Sequence, residues 1–223
     1  VGLSSTYILV TALHSCSIFF ASRVNYLKRN MALRRGDSII KNLKDSLFYA
    51  SKHEVVLALL VLAFLVNLTA FPLIQGLIPI FAKKALLTNS TGLGQLMGAY
   101  SAGALLASLL LASMPNLSRL NIWMICGSIG WHASAIALSQ TSSYSLSIGV
   151  LSLSGLFQSF CMVTMAVLLL RNTSADMRGR IMGFRGMAIY GLPMGLLISG
   201  FFADNVGITT TLAVNGIVGI VLT

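Results

Sequence analysis

The run 55-VVLALLVLAFLVNLTAFPLIQGLIPIFA-82 carries no charged side chain, with Lys52 just before it and Lys83 and Lys84 just after. A helix that crosses the hydrocarbon core needs about 20 apolar residues, so this run reads as a spanning helix. Working outward, comparable runs occupy about 3–22, 93–113, 120–138, 144–170 and 181–203, and a further apolar run fills 207–223. Strands of a membrane β-barrel alternate polar and apolar residues; these runs do not.

The loops between the runs differ in charge. Eight Lys and Arg lie between Arg23 and Lys52, one at Arg119 and four between Arg171 and Arg185, which is thirteen of fifteen; the intervening loops hold only Lys83 and Lys84. That is the positive-inside pattern of a multi-pass inner-membrane protein. It places Arg34, Arg119 and Arg178 on the cytoplasmic side and Lys84, Ser142 and Asp204 on the other. Hydrophobic residues make up 56% of the chain and charged residues 9%, against about 25% charged in soluble domains, so a water-solvated fold is excluded. The net charge of +10 is not interleaved with aromatics on a soluble face. It fits anionic lipid headgroups rather than nucleic acid, which is not an expected partner.

The longest loop, 23–53, is read as a cytoplasmic linker between a spanning helix at 1–22 and a helical bundle at 54–223. Gly36-Asp37-Ser38 is a helix start, and Ile39, Ile40, Leu43, Leu47 and Phe48 form an apolar stripe with Lys41 and Lys44 mostly off it. The segment is expected to be an amphipathic helix on the membrane surface or a linker helix packed on the protein's own loops, and the two readings are compatible. Asn89-Ser90-Thr91 matches a glycosylation pattern and is read as the turn before a helix. The chain starts at Val1 and stops inside an apolar run at Thr223, so a portion of a longer protein is expected.

Residues for enzyme chemistry are missing. The acids are Asp37, Asp45, Glu54, Asp176 and Asp204, all in loops or at helix ends. There is no histidine pair at metal spacing, no carboxylate pair and no phosphate-cradling glycine loop. Neither enzymatic activity, a cofactor nor a metal is expected. Cys16, Cys126 and Cys161 each fall inside an apolar run and are read as small packing residues.

The spans do carry neutral polar groups. Asn67 and Gln158 sit near mid-span, and Gln75, Gln95 and Tyr100 lie in the outer half. An amide in hydrocarbon needs a partner, so these groups should face the bundle interior or a wet cavity. They are either glue between helices or, with Phe71, the lining of a midplane substrate site. Pro72 and Pro79 each remove a backbone donor and favour a kink, static or as part of a moving gate. Gly94-x3-Gly98 and Gly191-Leu192-Pro193-Met194-Gly195 should permit close backbone approach. Arg185, a turn into its helix, either snorkels to the surface or meets an anionic group. The lone histidines His14 and His132 are read as hydrogen-bonded packing residues rather than proton relays.

With Asp176-Met177-Arg178-Gly179-Arg180-Ile181-Met182-Gly183, Gly191-Leu192-Pro193-Met194-Gly195, Gly200-x2-Ala203-Asp204-x2-Gly207 and Pro72 with Pro79-Ile80-Phe81, the chain resembles the major facilitator superfamily. Within it, the chain resembles the bacterial exporter branch that includes the enterobactin exporter, the transmembrane secretion effector group. The resemblance implies an all-α membrane protein, an antiparallel transmembrane helix bundle. It would comprise the C-terminal six-helix half of the fold plus the preceding helix. The 55–82 and 144–170 helices would wall the cavity. The family often places an acid in the cytoplasmic loop after its eighth helix, whereas 114–119 here has none.

The resemblance further implies a secondary transporter of the bacterial inner membrane that exports small amphipathic molecules by alternating access. Its coupling ion is expected to be a proton, and its partners are membrane lipids and the missing N-terminal half. An importer of sugars or peptides with the same fold, or a non-transporting lipid-binding scaffold, are the alternative readings. Arg178, Gly179, Arg180 and Arg185, with the kinks at Pro72 and Pro79, are the candidate gating residues. Arg178 and Arg180 would pair with the opposite half at the cytoplasmic mouth, and Gly179 would allow a tight approach there.

Overall fold

The computed structural model describes residues 3–23, 39–114 and 119–223. The expected helix start at 36–38, Arg34 and most of the 114–119 loop lie outside them. Val1–Ser38 and Ile39–Thr223 are separate compact units. The first contributes one helix, α1 (Leu3–Ser22), matching the expected span.

The second unit begins with α2 (Ile39–Lys52) and α3 (Glu54–Thr69). It continues through α4 (Ile78–Lys84), α5 (Ser90–Ser113), α6 (Leu120–Ser139), α7 (Tyr144–Arg171), α8 (Arg178–Gly186), α9 (Gly191–Asn205) and α10 (Ile208–Leu222). Among the described residues there is no strand. Five helical stretches are long and apolar enough to cross a membrane: Glu54–Lys84, Ser90–Ser113, Leu120–Ser139, Tyr144–Arg171 and Arg178–Asn205. Helices dominate because hydrocarbon offers no hydrogen bonds, so each span must satisfy its own backbone. Asn89 starts α5 as an N-cap, its side chain accepting from the Gly92 N–H at 3.0 Å, which is the turn that its sequence suggested.

Two spans are interrupted near prolines. Between α3 and α4 a π-helical turn occupies Leu73–Leu77. Pro72 cannot donate to the Leu68 carbonyl and Pro79 cannot donate to that of Gln75, so the ladder re-registers there. The expected kink is thus a π turn. The other break, a 3-10 turn at Met187–Tyr190, joins α8 to α9 just before Pro193. The two breaks lie against one another through glycine. A Cβ on Gly195 would overlap the Leu68 carbonyl that Pro72 leaves free, and one on Gly191 would crowd the Phe64 carbonyl.

Glycine also closes the α5–α7 seam. A Cβ on Gly103 would overlap the Ser152 carbonyl, and one on Gly155 the Tyr100 carbonyl. The Ser152 hydroxyl donates to the Ala99 carbonyl across that seam at 3.2 Å. The expected contact pair Gly94 and Gly98 has nothing within 4 Å. Those glycines sit on the opposite side of α5 from the one turned to α7. The reading holds for Gly191 and Gly195 and fails for Gly94 and Gly98.

Deep in the bundle, α6 joins α3 and α10. Trp131 is fully buried and takes the edge of Phe71 at 5.0 Å between ring centres. His132 Nδ1 lies 2.9 Å from the Ser128 carbonyl and Nε2 lies 2.8 Å from the Thr69 hydroxyl. A carbonyl only accepts, so Nδ1 carries the hydrogen. The Thr69 hydroxyl, which also lies 2.8 Å from the Leu65 carbonyl of its own helix, is the partner of Nε2, and its one hydrogen is shared between the two acceptors when the ring is neutral. The ring lies where a side chain on Gly219 of α10 would be. His132 is therefore a packing residue tying three helices. Of the cysteines, Cys161 is buried in the core, while Cys16 and Cys126 are exposed on helix faces, so the packing role holds for Cys161 alone.

These contacts predict two stability effects. Gly155→Leu forces the α5–α7 seam apart and lowers unfolding free energy in detergent by about 1–3 kcal/mol or more. Gly98→Leu, facing open space, changes it by no more than about 0.5 kcal/mol. Equal thermal unfolding of the two variants refutes the seam. Thr69→Val strands the buried Nε2 of His132 and costs about 1–3 kcal/mol, and Thr69→Ser restores it. An unfolding midpoint for Thr69→Val equal to that of the parent chain removes the hydrogen bond from the account.

Candidate functional site

The two ends of the bundle have different characters. At one, Lys84 at the end of α4 meets Asp204 of α9 at 3.4 Å. There too, the Tyr144 hydroxyl at the start of α7 donates to Gln95 Oε1 at 2.6 Å and to the Gly92 carbonyl at 3.1 Å. At the other end α2 packs on α3 and α8. The Ser174 N–H donates to the Tyr49 hydroxyl at 3.0 Å, and Arg180 pairs with Asp45 at 3.3 Å. The segments that the charge pattern assigned to one side thus cluster at one end, and Lys84 and Asp204 share the other.

The candidate cavity residues do not form one hydrogen-bonded group. Asn67 is half-buried and donates to the Ala63 carbonyl of its own helix at 2.8 Å. Phe71, one turn on, is spent on Trp131. Gln95 is engaged by Tyr144, and Tyr100 is buried in the α5–α7 seam. Gln75, inside the π turn, is exposed and Gln158 at the middle of α7 is half-buried. Neither amide has a hydrogen-bond partner among the described residues. The Ser154 hydroxyl, one turn before Gln158, and the Trp131 indole N–H are buried and also unpartnered there. Unpartnered polar groups are costly in hydrocarbon, and here they gather on α7, α6 and the broken α3–α4 span.

An apolar cavity lies elsewhere. Partly open and about 260 Å³ in volume, it lies between α3, α9 and α10, with Leu68, Thr69, Phe202, Val214 and Leu222 in its walls. Its polar feature is Asn215, whose amide donates to the Ser199 hydroxyl at 2.9 Å. None of the residues expected to line the cavity borders it. Sequence reading missed it because its wall joins α3 to α9 and α10, which lie far along the chain from α3. The signal available was the pair of polar residues Ser199 and Asn215 in otherwise apolar runs.

The candidate gate is built from local contacts. Arg178 donates from Nε to the Leu170 and Thr173 carbonyls at 3.1 and 3.2 Å. It thereby caps the C-terminal end of α7, where free carbonyls and the helix dipole favour a cation. Gly179 has nothing within 4 Å, so the tight approach expected of it is not made among the described residues. Arg185 is half-buried, inside the α8–α9 span, a turn and a half beyond Arg180. Pro72 is buried, and Pro79 sits in the first turn of α4. Among the described residues no group of three His, Cys, Asp or Glu is placed to hold a metal.

What the arrangement offers is a membrane-embedded bundle with two interrupted spans, uncharged polar groups at depth, and basic residues gathered at one end. A family model described as Major Facilitator Superfamily matches residues 60–223, nearly all of the second unit. No match was found among curated proteins or solved structures. With that match covering well over half its length, the chain belongs to the major facilitator superfamily of membrane transporters.

Proposed function

We propose that the chain is the C-terminal portion of an enterobactin-exporter-like secondary transporter. In this reading it exports small amphipathic molecules across a bacterial inner membrane by alternating access, coupled to protons. The observation that carries the reading is the Gln158 amide, half-buried at mid-span without a partner among the described residues. Such a group is stable in a bilayer when it faces water or a ligand. Asn67, Phe71 and Gln75 on the 54–84 span, and Gln95 and Tyr100 on α5, complete the proposed site. Acids are absent from the interior of the apolar runs, so the coupling carboxylate belongs to the N-terminal half. That half also supplies the second cavity wall.

Alternating access rocks one bundle against the other about a midplane site. The π turn at 73–77 and the 3-10 turn at 187–190 are suited to such motion, because a re-registered ladder bends more readily than a regular one. Arg178, Gly179, Arg180 and Arg185 are assigned to the inward gate. Arg178 and Arg180 hold the 172–180 segment through the contacts given above, so the gate would move as a unit with the ends of α7 and α2.

In the full-length transporter, Gln158→Ala or Asn67→Ala shifts the apparent affinity for transported amphiphiles by about two- to ten-fold, the worth of one neutral hydrogen bond, while expression is kept. Normal transport by both variants across a substrate panel removes them from the site. Orientation is checked with an impermeant thiol reagent on intact cells, in a background without native cysteines. Ser142→Cys is expected to react and Arg34→Cys to stay protected. The reverse pattern turns the protein over in the membrane.

A further inference from the structure

Helix α2 has two dissimilar faces. One is packed: Ser46 and Ala50 are 3% and 1% exposed, Tyr49 takes the Ser174 N–H, and Asp45 meets Arg180. The other leaves Leu47 48% and Phe48 67% exposed, beside the exposed Lys44 and Lys52. The Lys52 ammonium lies 5.4 Å from the centre of the Phe48 ring. Lys44, Phe48 and Lys52 follow at four-residue steps, so they share one stripe of the helix.

The position of α2 gives this face a partner. Only His53 separates it from α3, which opens the 54–84 span. It also rests on α8 where another span starts. The exposed pair therefore sits at the level where two spans leave the bilayer. A helix there with an apolar edge and flanking lysines buries the edge among acyl chains and extends its ammonium groups to the headgroups. Counting Lys44 and Lys52 with Arg171, Arg178 and Arg180, the same end carries five cations against the three acids Asp45, Glu54 and Asp176, so the complementary surface is anionic.

We propose that the exposed face of α2 binds anionic lipid headgroups and that, through Asp45–Arg180 and Tyr49–Ser174, this binding steadies the 172–180 segment. The lipid surface then sets how firmly the end of α7 and the start of α8 are held. This rests on the gate assignment only for its consequence in transport, since the lipid contact and its effect on the segment are read directly.

The test uses the chain with its three cysteines replaced by alanine and a spin label at Ser51→Cys, on the exposed face. It is reconstituted in phosphatidylcholine vesicles with and without phosphatidylglycerol. Collision with oxygen reports acyl-chain contact and collision with a soluble nickel chelate reports water. Deuterium exchange of the Ser174 amide, the donor to Tyr49, reports the coupling. Phosphatidylglycerol is expected to raise oxygen contact and slow Ser174 exchange. Lys44→Gln/Lys52→Gln abolishes both effects, at about five-fold in surface affinity per lysine. Asp45→Asn keeps the lipid contact and loses the slowed exchange. A label reached by nickel in all vesicles, or by neither probe because protein covers it, overturns the lipid site. Ser174 exchange indifferent to phosphatidylglycerol overturns the coupling. Transport is not read, so failure of the export reading leaves these results distinguishable.

Discussion

In hydrocarbon, helices gain little from burying apolar surface against one another, because lipid tails are as apolar as leucine. What remains is contact at close range, and the bundle depends on the places where backbone meets backbone. The seam of α5 and α7 is held this way. Gly103 and Gly155 present bare backbone to the carbonyls of Ser152 and Tyr100, and Ser152 bonds across at Ala99. Gly127 does the same for α6 against the Cys161 and Phe157 backbone, and Gly216 for α10 against the His132 carbonyl.

The broken spans depend on the same constraint from the opposite direction. A proline frees a carbonyl that lipid cannot satisfy, so the break must be covered by protein. The Leu68 carbonyl opposite Pro72 is covered by Gly195, one turn into α9 and beside the second break. Two irregular segments thus meet at mid-bundle. The cavity of about 260 Å³ between α3, α9 and α10 borders the same break at Leu68 and Gly195.

At the basic end, the 172–180 segment is held from two directions. Arg178 caps α7, and α2 grips Ser174 and Arg180 from below. The Asp45–Arg180 pair is about 40% exposed on each side, and such a pair is worth only about 0–1 kcal/mol by itself. Its value lies in direction: it joins a surface helix to the helix end that a moving bundle would carry. Of the two readings of α2 from its residues, packing on the protein applies to one face, and the opposite face leaves Leu47 and Phe48 exposed.

Six expected apolar runs appear as helices within a few residues of their expected limits, and so does the seventh. Length and hydropathy are local properties, and a bilayer demands that each span satisfy its own backbone. That the basic segments share one end of the bundle was equally legible, since lysines and arginines at loop positions need no knowledge of packing. Membership in the family followed from residues such as Arg178-Gly179-Arg180 and Gly191–Gly195. The contacts were not legible. Both the lipid and the protein interior are apolar, so a span carries little pattern to say which face turns inward. Gly94 and Gly98 looked the same as Gly103 and Gly155 until α7 was in place. For the same reason the contact of Phe71 with Trp131 was not legible, and Thr69 and Asn215 passed unnoticed. Which helices touch, and which polar groups remain without partners, was decided by tertiary structure alone, because those facts belong to pairs of helices far apart in the chain.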